Sequence, residues 1–245
     1  MVAWTLGSVP LTAQTGTPEF DPLAEHDTLP KLIRIQVEFI EVPHPALTAL
    51  MESEAAKSDN ALREAVGEML KAGKARIMET QMCSTRSGQK ATTEAIEEFI
   101  YPTEYEPAEL PSEIHVDGKD GAATTSGRDF ATGPTPTAFS TRNLGSTLEI
   151  EPTMGAAGKI IDLRFAPEIV YHVKNTTWTE WNGHYGKAPI QMPVFYSLRI
   201  STGTVVMDGC YQMVAALSPK SECAFPDFDK KLMIFVRADV LTVGQ

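Results

Sequence analysis

Cysteine is scarce in this sequence: three in 245 residues, at Cys83, Cys210 and Cys223. Their spacing makes neither a CxxC pair nor a zinc-ligand pattern, which removes the corresponding redox and structural-metal readings. Cys210 and Cys223 flank a short stretch and suit a bridge across neighbouring strands. Three buried, inert thiols is the other reading, so cysteine does not fix the compartment. Basic residues are also short. Lys and Arg number 21 against 32 Asp and Glu, a formal net charge of -11. Nucleic-acid-binding surfaces show as a basic excess, and attraction to anionic lipid needs one too, so neither partner class is expected. No apolar run approaches the roughly 18 residues of a membrane-spanning helix. Five histidines occur, at positions 26, 44, 115, 172 and 184, with no HExxH and no i, i+4 pair. P-loop, GxGxxG and GxSxG motifs are missing. Asp117-Gly118-Lys119-Asp120-Gly121 lacks the ligand count and closing Glu of a calcium loop and reads as a solvated turn. Glu94, Glu97 and Glu98 are dense, but nothing in their spacing selects a catalytic pair. The expectation is a protein without catalytic residues, cofactor or metal.

What is present is β pattern. Ile33, Ile35, Val37 and Phe39 alternate with Arg34, Gln36 and Glu38, the period of a half-buried strand. Pro43 and Pro45 end it. Residues 46–72 turn helical, interrupted by cap residues at Ser58, Asp59 and Asn60. Leu62, Val66, Met69 and Leu70 share one face of the second helix, and Gly73 is its stop. Beyond Ile77 the chain reads as strands and turns: Ala91–Ile100, Leu144–Ile150, Ile161–Phe165, Val194–Ile200, Val205–Met207 and Leu232–Val236. Ser87-Gly88 and Asp208-Gly209 read as tight turns, and residues 102–138 and 175–193 as long polar loops. This is a mainly β, α+β arrangement of antiparallel strands with one helical segment near the start. Residues 1–30 read as a leader and linker, and 31–245 as one β domain. Met1 to Gln14 resembles the apolar and cleavage portions of an export signal, with Ala13 as the last residue before the cut, although the basic leading region is missing.

A family resemblance spreads over most of this pattern. The strand Ile35–Val42 followed by a helix, then Ser84-Thr-Arg-Ser-Gly-Gln-Lys-Ala91, then Glu97–Tyr105, resemble in order segments of the C-terminal homology domain of secretins. Secretins are outer-membrane channel proteins of type II and type III secretion and of type IV pili. Thr141–Thr153 is similar to the family's strand carrying Gly-x-x-Leu-x-x-x-Pro, and Ile160–Leu163 to the strand after it. Asp208-Gly209 and Leu232–Val236 sit where the family has its Asp-Gly turn and last apolar strand. The departures are specific: Ala215-Ala216 replaces a Gly-Gly pair, and only Leu217 to Lys231 stands where the family has a long Pro- and Leu-Gly-rich segment. The resemblance implies a reduced secretin-like core, either in that form or closed up as an immunoglobulin-like β-sandwich. It implies an exported, non-enzymatic protein of the periplasm, outer membrane or cell surface. Such a protein is an accessory or structural part of a pilus or secretion machine, homo-oligomeric or paired with pilus or secretin components. The motifs themselves are structural: Gly145 gives a strand a place for close backbone approach, and Pro152 ends one.

The remaining signal is aromatic. Tyr171, Trp178, Trp181 and Tyr185 fall in or beside the polar stretch, with Asn182-Gly183 at a hairpin tip. Outward rings there suit a protein partner or a glycan, which makes an adhesin or glycan-binding sandwich the alternative function; rings folded back would shield a sheet edge. Unpaired strand edges near Val194–Ile200 and Lys231–Val236 are the expected association surfaces.

Overall fold

The computed structural model describes residues 30–110, 130–183, 186–221 and 225–242. Among these, the chain runs β1 (Lys31–Pro43), α1 (His44–Glu52), one 3-10 turn, α2 (Asp59–Lys71), β2 (Arg76–Thr85) and β3 (Ala91–Glu106). It continues through β4 (Thr135–Met154), β5 (Ile160–Gly183), β6 (Gly186–Arg199), β7 (Thr202–Met207), β8 (Tyr211–Leu217) and β9 (Lys230–Thr242). Every strand pairing between these elements is antiparallel. One sheet has the order β2-β1-β9-β8; the other has β3-β4-β5-β6, with β7 beside the first part of β5. The mainly β reading therefore holds.

The two sheets face each other over one core. Ile33, Ile35, Val37 and Phe39 of β1 and Ile234 and Val236 of β9 meet Leu148, Ile150 and Leu163 of the second sheet, each no more than 1% exposed. These are the alternating residues of the sequence pattern, and their burial removes apolar surface from water from both sides of one interface. The expectation that the intervening polar residues face water fails at Glu38, which is 5% exposed. The helical layer is the reason. Leu62 and Val66 of α2 pack with Ile40, Val42, Met233 and Phe235 on the outer face of the first sheet. Both faces of β9 are thereby covered, which is why Leu232–Val236 is an uninterrupted apolar run. Glu38 lies under α2 and accepts from Arg63 Nε at 2.6 Å and Gln36 Nε2 at 2.8 Å.

Several local readings change. Ser87-Gly88 and Asp208-Gly209 are tight turns with Gly88 at φ 74° and Gly209 at φ 73°, but each carries the chain from one sheet to the other rather than closing a hairpin. Pro152 does not end β4; it pairs with Leu163 inside the strand. Its imide nitrogen is tolerated because β3 pairing stops at Ala91–Ile150, leaving no described strand on the side away from β5. Most of residues 175–193 is strand, not loop: β5 and β6 are paired from Glu168–Arg199 out to Gly183–Gly186. The prolines there, Pro189 and Pro193, lie in β6, an edge strand, where a missing donor costs nothing. The 102–138 loop is likewise shorter, since β3 reaches Glu106 and β4 begins at Thr135. Cys83 and Cys210 are free and half-buried; Cys223 lies outside the described residues, as do the Met1–Gln14 segment and Asp117–Gly121.

Candidate assembly surface

The second sheet divides. Pairing between β4 and β5 stops at Gly145–Val170, while β3–β4 continues to Glu106–Thr135 and β5–β6 to Gly183–Gly186. Beyond that rung the sheet becomes two two-stranded ribbons. Gly145 makes the division possible. It has φ 119°, and a Cβ there would lie 2.2 Å from the Ala95 carbonyl oxygen. Only glycine admits both the conformation and the contact, as the sequence reading of close backbone approach requires.

The ribbons are held together by rings. Phe99 of β3 stacks on His172 of β5, centroids 4.8 Å apart and planes 19° apart, and meets Phe195 of β6 edge-on at 5.9 Å. Tyr101 reaches Phe195 at 5.5 Å. His172 Nε2 is 2.9 Å from Asn175 Oδ1. On the chain's other described histidine, Nδ1 of His44 lies 3.0 Å from the Phe228 carbonyl oxygen. Among the described residues no three His, Cys, Asp or Glu side chains gather as metal ligands, and no described helix is long and apolar enough to cross a membrane.

Three of the four aromatic candidates lie among the described residues, and their surroundings differ. Tyr171 is half-buried at the base of the ribbon, against the shared core. Trp178 is 75% exposed. It occupies an irregularity where Thr177 pairs with Gln191 and Thr179 with Ile190, leaving Trp178 without a partner on β6; such bulges re-aim side chains. Trp181 folds over Gly183, whose missing Cβ leaves room for the indole, and lies against Gly133. Tyr185 lies outside the described residues. Phe99, Tyr101, His172 and Phe195, which do form a cluster, were invisible in the pattern because they come from three strands.

Burial pushes the Tyr171 phenol above its ordinary value of 10.0, with Glu79 adding to the rise and Arg76 opposing it; burial raises Tyr196 in the same direction. A phenol that ionises later in the folded chain contributes stability that is fully present below pH 10 and is lost as pH rises through the folded value. Denaturant midpoints are therefore expected to hold up to about pH 10 and decline above it. Tyr171→Phe should flatten that decline.

Outer strands of a sheet carry unpaired backbone groups. In the first sheet β2 and β8 are outermost; in the second, β3 and β6. Val194–Ile200 lies in and just past β6, at a sheet edge as expected. That for Lys231–Val236 is corrected: β9 is central, paired with β1 on one side and β8 on the other.

No protein-family model and no curated protein matches this chain. Solved structures do. An enterotoxigenic Escherichia coli pilotin–secretin complex, AspS-GspD, is similar at TM-score 0.43 and 11% identity over 91% of this chain and 52% of that one. Aeromonas hydrophila ExeD is similar at 0.40 and 12% over 86% and 48%. The Salmonella SPI-1 type III secretion injectisome secretin InvG is similar at 0.39 and 8% over 88% and 64%. The chain thus spans about half the length of the first two and under two thirds of the third.

Proposed function

We propose that this chain is a non-enzymatic structural subunit of a bacterial envelope machine of the secretion or type IV pilus kind, exported to the periplasm or outer membrane, and that it works by assembling with copies of itself. The observation that carries this reading is the second sheet's pair of outer strands, β3 and β6, which have no further strand beside them among the described residues. Four strands alternate in direction from β3 to β6, so a β3 placed beside the β6 of a neighbour continues the antiparallel order without limit. A contact of this head-to-tail kind closes into a ring when its rotation permits. The edges differ in charge. The β3 strand carries Glu94, Glu97, Glu98, Glu104 and Glu106, and β6 carries Lys187 and Arg199. Opposite charges across a strand pair favour it, and like charges disfavour self-pairing of β3 with β3. The secretin-like order of sequence motifs supplies the class of machine.

Reversing the β6 charges with Lys187→Glu and Arg199→Glu is expected to raise the concentration at which the protein associates by about tenfold or more. Sedimentation velocity over a concentration series reads the change. Unaltered association in the double variant would remove the β6 edge from the account.

The exposed Trp178 supports a second reading, a glycan-contacting surface. Glycan-array binding that disappears in Trp178→Ala is its test; no binding by the unmodified protein rejects it.

A further inference from the structure

Backbone direction decides what each outer strand of the second sheet can offer. Ile200 N donates to Pro167 O at 3.2 Å. The amides of Leu198, Tyr196 and Val194 therefore also turn toward β5, and those of Arg199, Ser197 and Phe195 turn away. Pro193 and Pro189 continue the outward series and have no hydrogen to offer. On β3, the Ala95 carbonyl oxygen is the atom that a Gly145 Cβ would strike. Ala95 thus faces β4, while Glu94, Ile96, Glu98 and Ile100 turn away, followed by Pro102. Both edges carry complete backbone groups beside the continuous part of the sheet and lose donors along the ribbons, where proline blocks strand addition.

Side chains add a second constraint. Across the sheet Glu94 lies opposite Thr147, Thr147 opposite Glu168, and Glu168 opposite Arg199. The two outer strands thus carry opposite charges on one rung and one face. Glu94 and Arg199 are both exposed. Glu168 between them takes its cation from Arg142, with Nη2 to Oε1 at 3.4 Å. Lys187, at the far end of β6, is paired with Glu180 at 2.8 Å.

We propose that copies join in the level register, with Arg199 of one copy opposite Glu94 of the next and Ser197–Ile96 and Phe195–Glu98 as the following rungs. The proposal rests on the assembly reading above and names the residues that set its register. Other registers that keep faces and amides matched slide β3 by two residues or a multiple of two. A slide of two sets Arg199 against Thr92 or Ile96 and forgoes the charge pair. A slide of four in one direction sets it against Lys90, which repels it. In the other direction it meets Glu98, but Pro102 then falls opposite Phe195 and shortens the ladder. The level register joins the charges and keeps the complete rungs. The ribbons stay outside this ladder, and Lys187 takes no part in it.

Charge reversal tests the register. In sedimentation velocity, Arg199→Glu alone and Glu94→Arg alone are each expected to raise the concentration needed for association by about tenfold or more. The chain carrying both substitutions restores an opposite pair and is expected to return to within about threefold of the unmodified chain. Lys187→Glu alters net charge as Arg199→Glu does and is expected to leave association unchanged. All three positions are exposed, and circular dichroism with thermal melting checks that each variant folds as the unmodified chain does. The register is overturned if the unmodified chain assembles and Arg199→Glu assembles equally well, if Lys187→Glu weakens assembly as much, or if the doubly reversed chain recovers nothing. The assembly reading survives each of these results. An unmodified chain that never associates overturns both.

Discussion

Gly145→Val is expected to lower stability by more than about 3 kcal/mol, which is large for a single substitution. Two costs combine. The residue sits at φ 119°, a conformation that a β-branched side chain adopts only under strain. The added Cβ also falls 2.2 Å from the Ala95 carbonyl oxygen, with the Ala95 carbonyl carbon and Ile96 Cα at 3.2 Å. Backbone cannot yield as a flexible side chain does, so β3 must leave β4 or β4 must straighten. Either movement disturbs the rung at which the ribbons divide. Urea unfolding measures the loss, and hydrogen exchange on β3 amides is expected to rise first. Gly145→Ala carries most of the cost, since the clash begins at Cβ. A variant as stable as the unmodified chain would show that the strand is not held in this geometry.

Arg63→Ala is the second large effect, at about 3–5 kcal/mol, because it strands a buried charge. Glu38 and Arg63 side chains are 6% and 16% exposed, with Nε to Oε2 at 2.6 Å. Removing the guanidinium leaves the Glu38 carboxylate under α2 with only the Gln36 amide as a hydrogen-bond donor. Arg63 also lies over the Tyr211 ring, 5.3 Å from its centroid, with Arg237 at 5.3 Å from the same ring, so the helix loses packing as well as charge. Glu38→Leu combined with Arg63→Met replaces the pair by apolar volume and is expected to be close to neutral. If Arg63→Ala alone were neutral, the pair would not be what ties α2 to the first sheet.

These two sites show how far sequence reaches. Alternation placed Ile35, Val37, Phe39, Leu148, Ile150, Leu163, Ile234 and Val236 in the core, because period two is dictated by the pleat itself. The apolar face of α2 and the close approach at Gly145 were legible for similar local reasons. Glu38 was not: its alternation says exposed, and only the helices stacked above it bury it. The β5–β6 ribbon was hidden by Pro189, Pro193 and the Thr-Asn-Trp composition of 174–183. Local rules assign these to a loop, whereas an edge strand accepts them. Edge and centre are properties of sheet order. So Val194–Ile200 was placed correctly as an edge and Lys231–Val236 was not, although both show the same kind of local pattern. Tyr171, Trp178 and Trp181 are neighbours in sequence, but one braces the core, one stands out on a bulge and one covers a glycine. The ring cluster that joins the ribbons draws on residues 99, 101, 172 and 195.

Self-association is the claim on which the functional reading turns. Multi-angle light scattering of the purified chain across a hundredfold range of concentration tests it most directly. The account predicts a mass that climbs from one chain to a closed, defined multiple and falls back on dilution, with the transition moved upward by Lys187→Glu/Arg199→Glu. A single-chain mass at every concentration, with no envelope-machine component captured by the same protein in a pull-down, would contradict it.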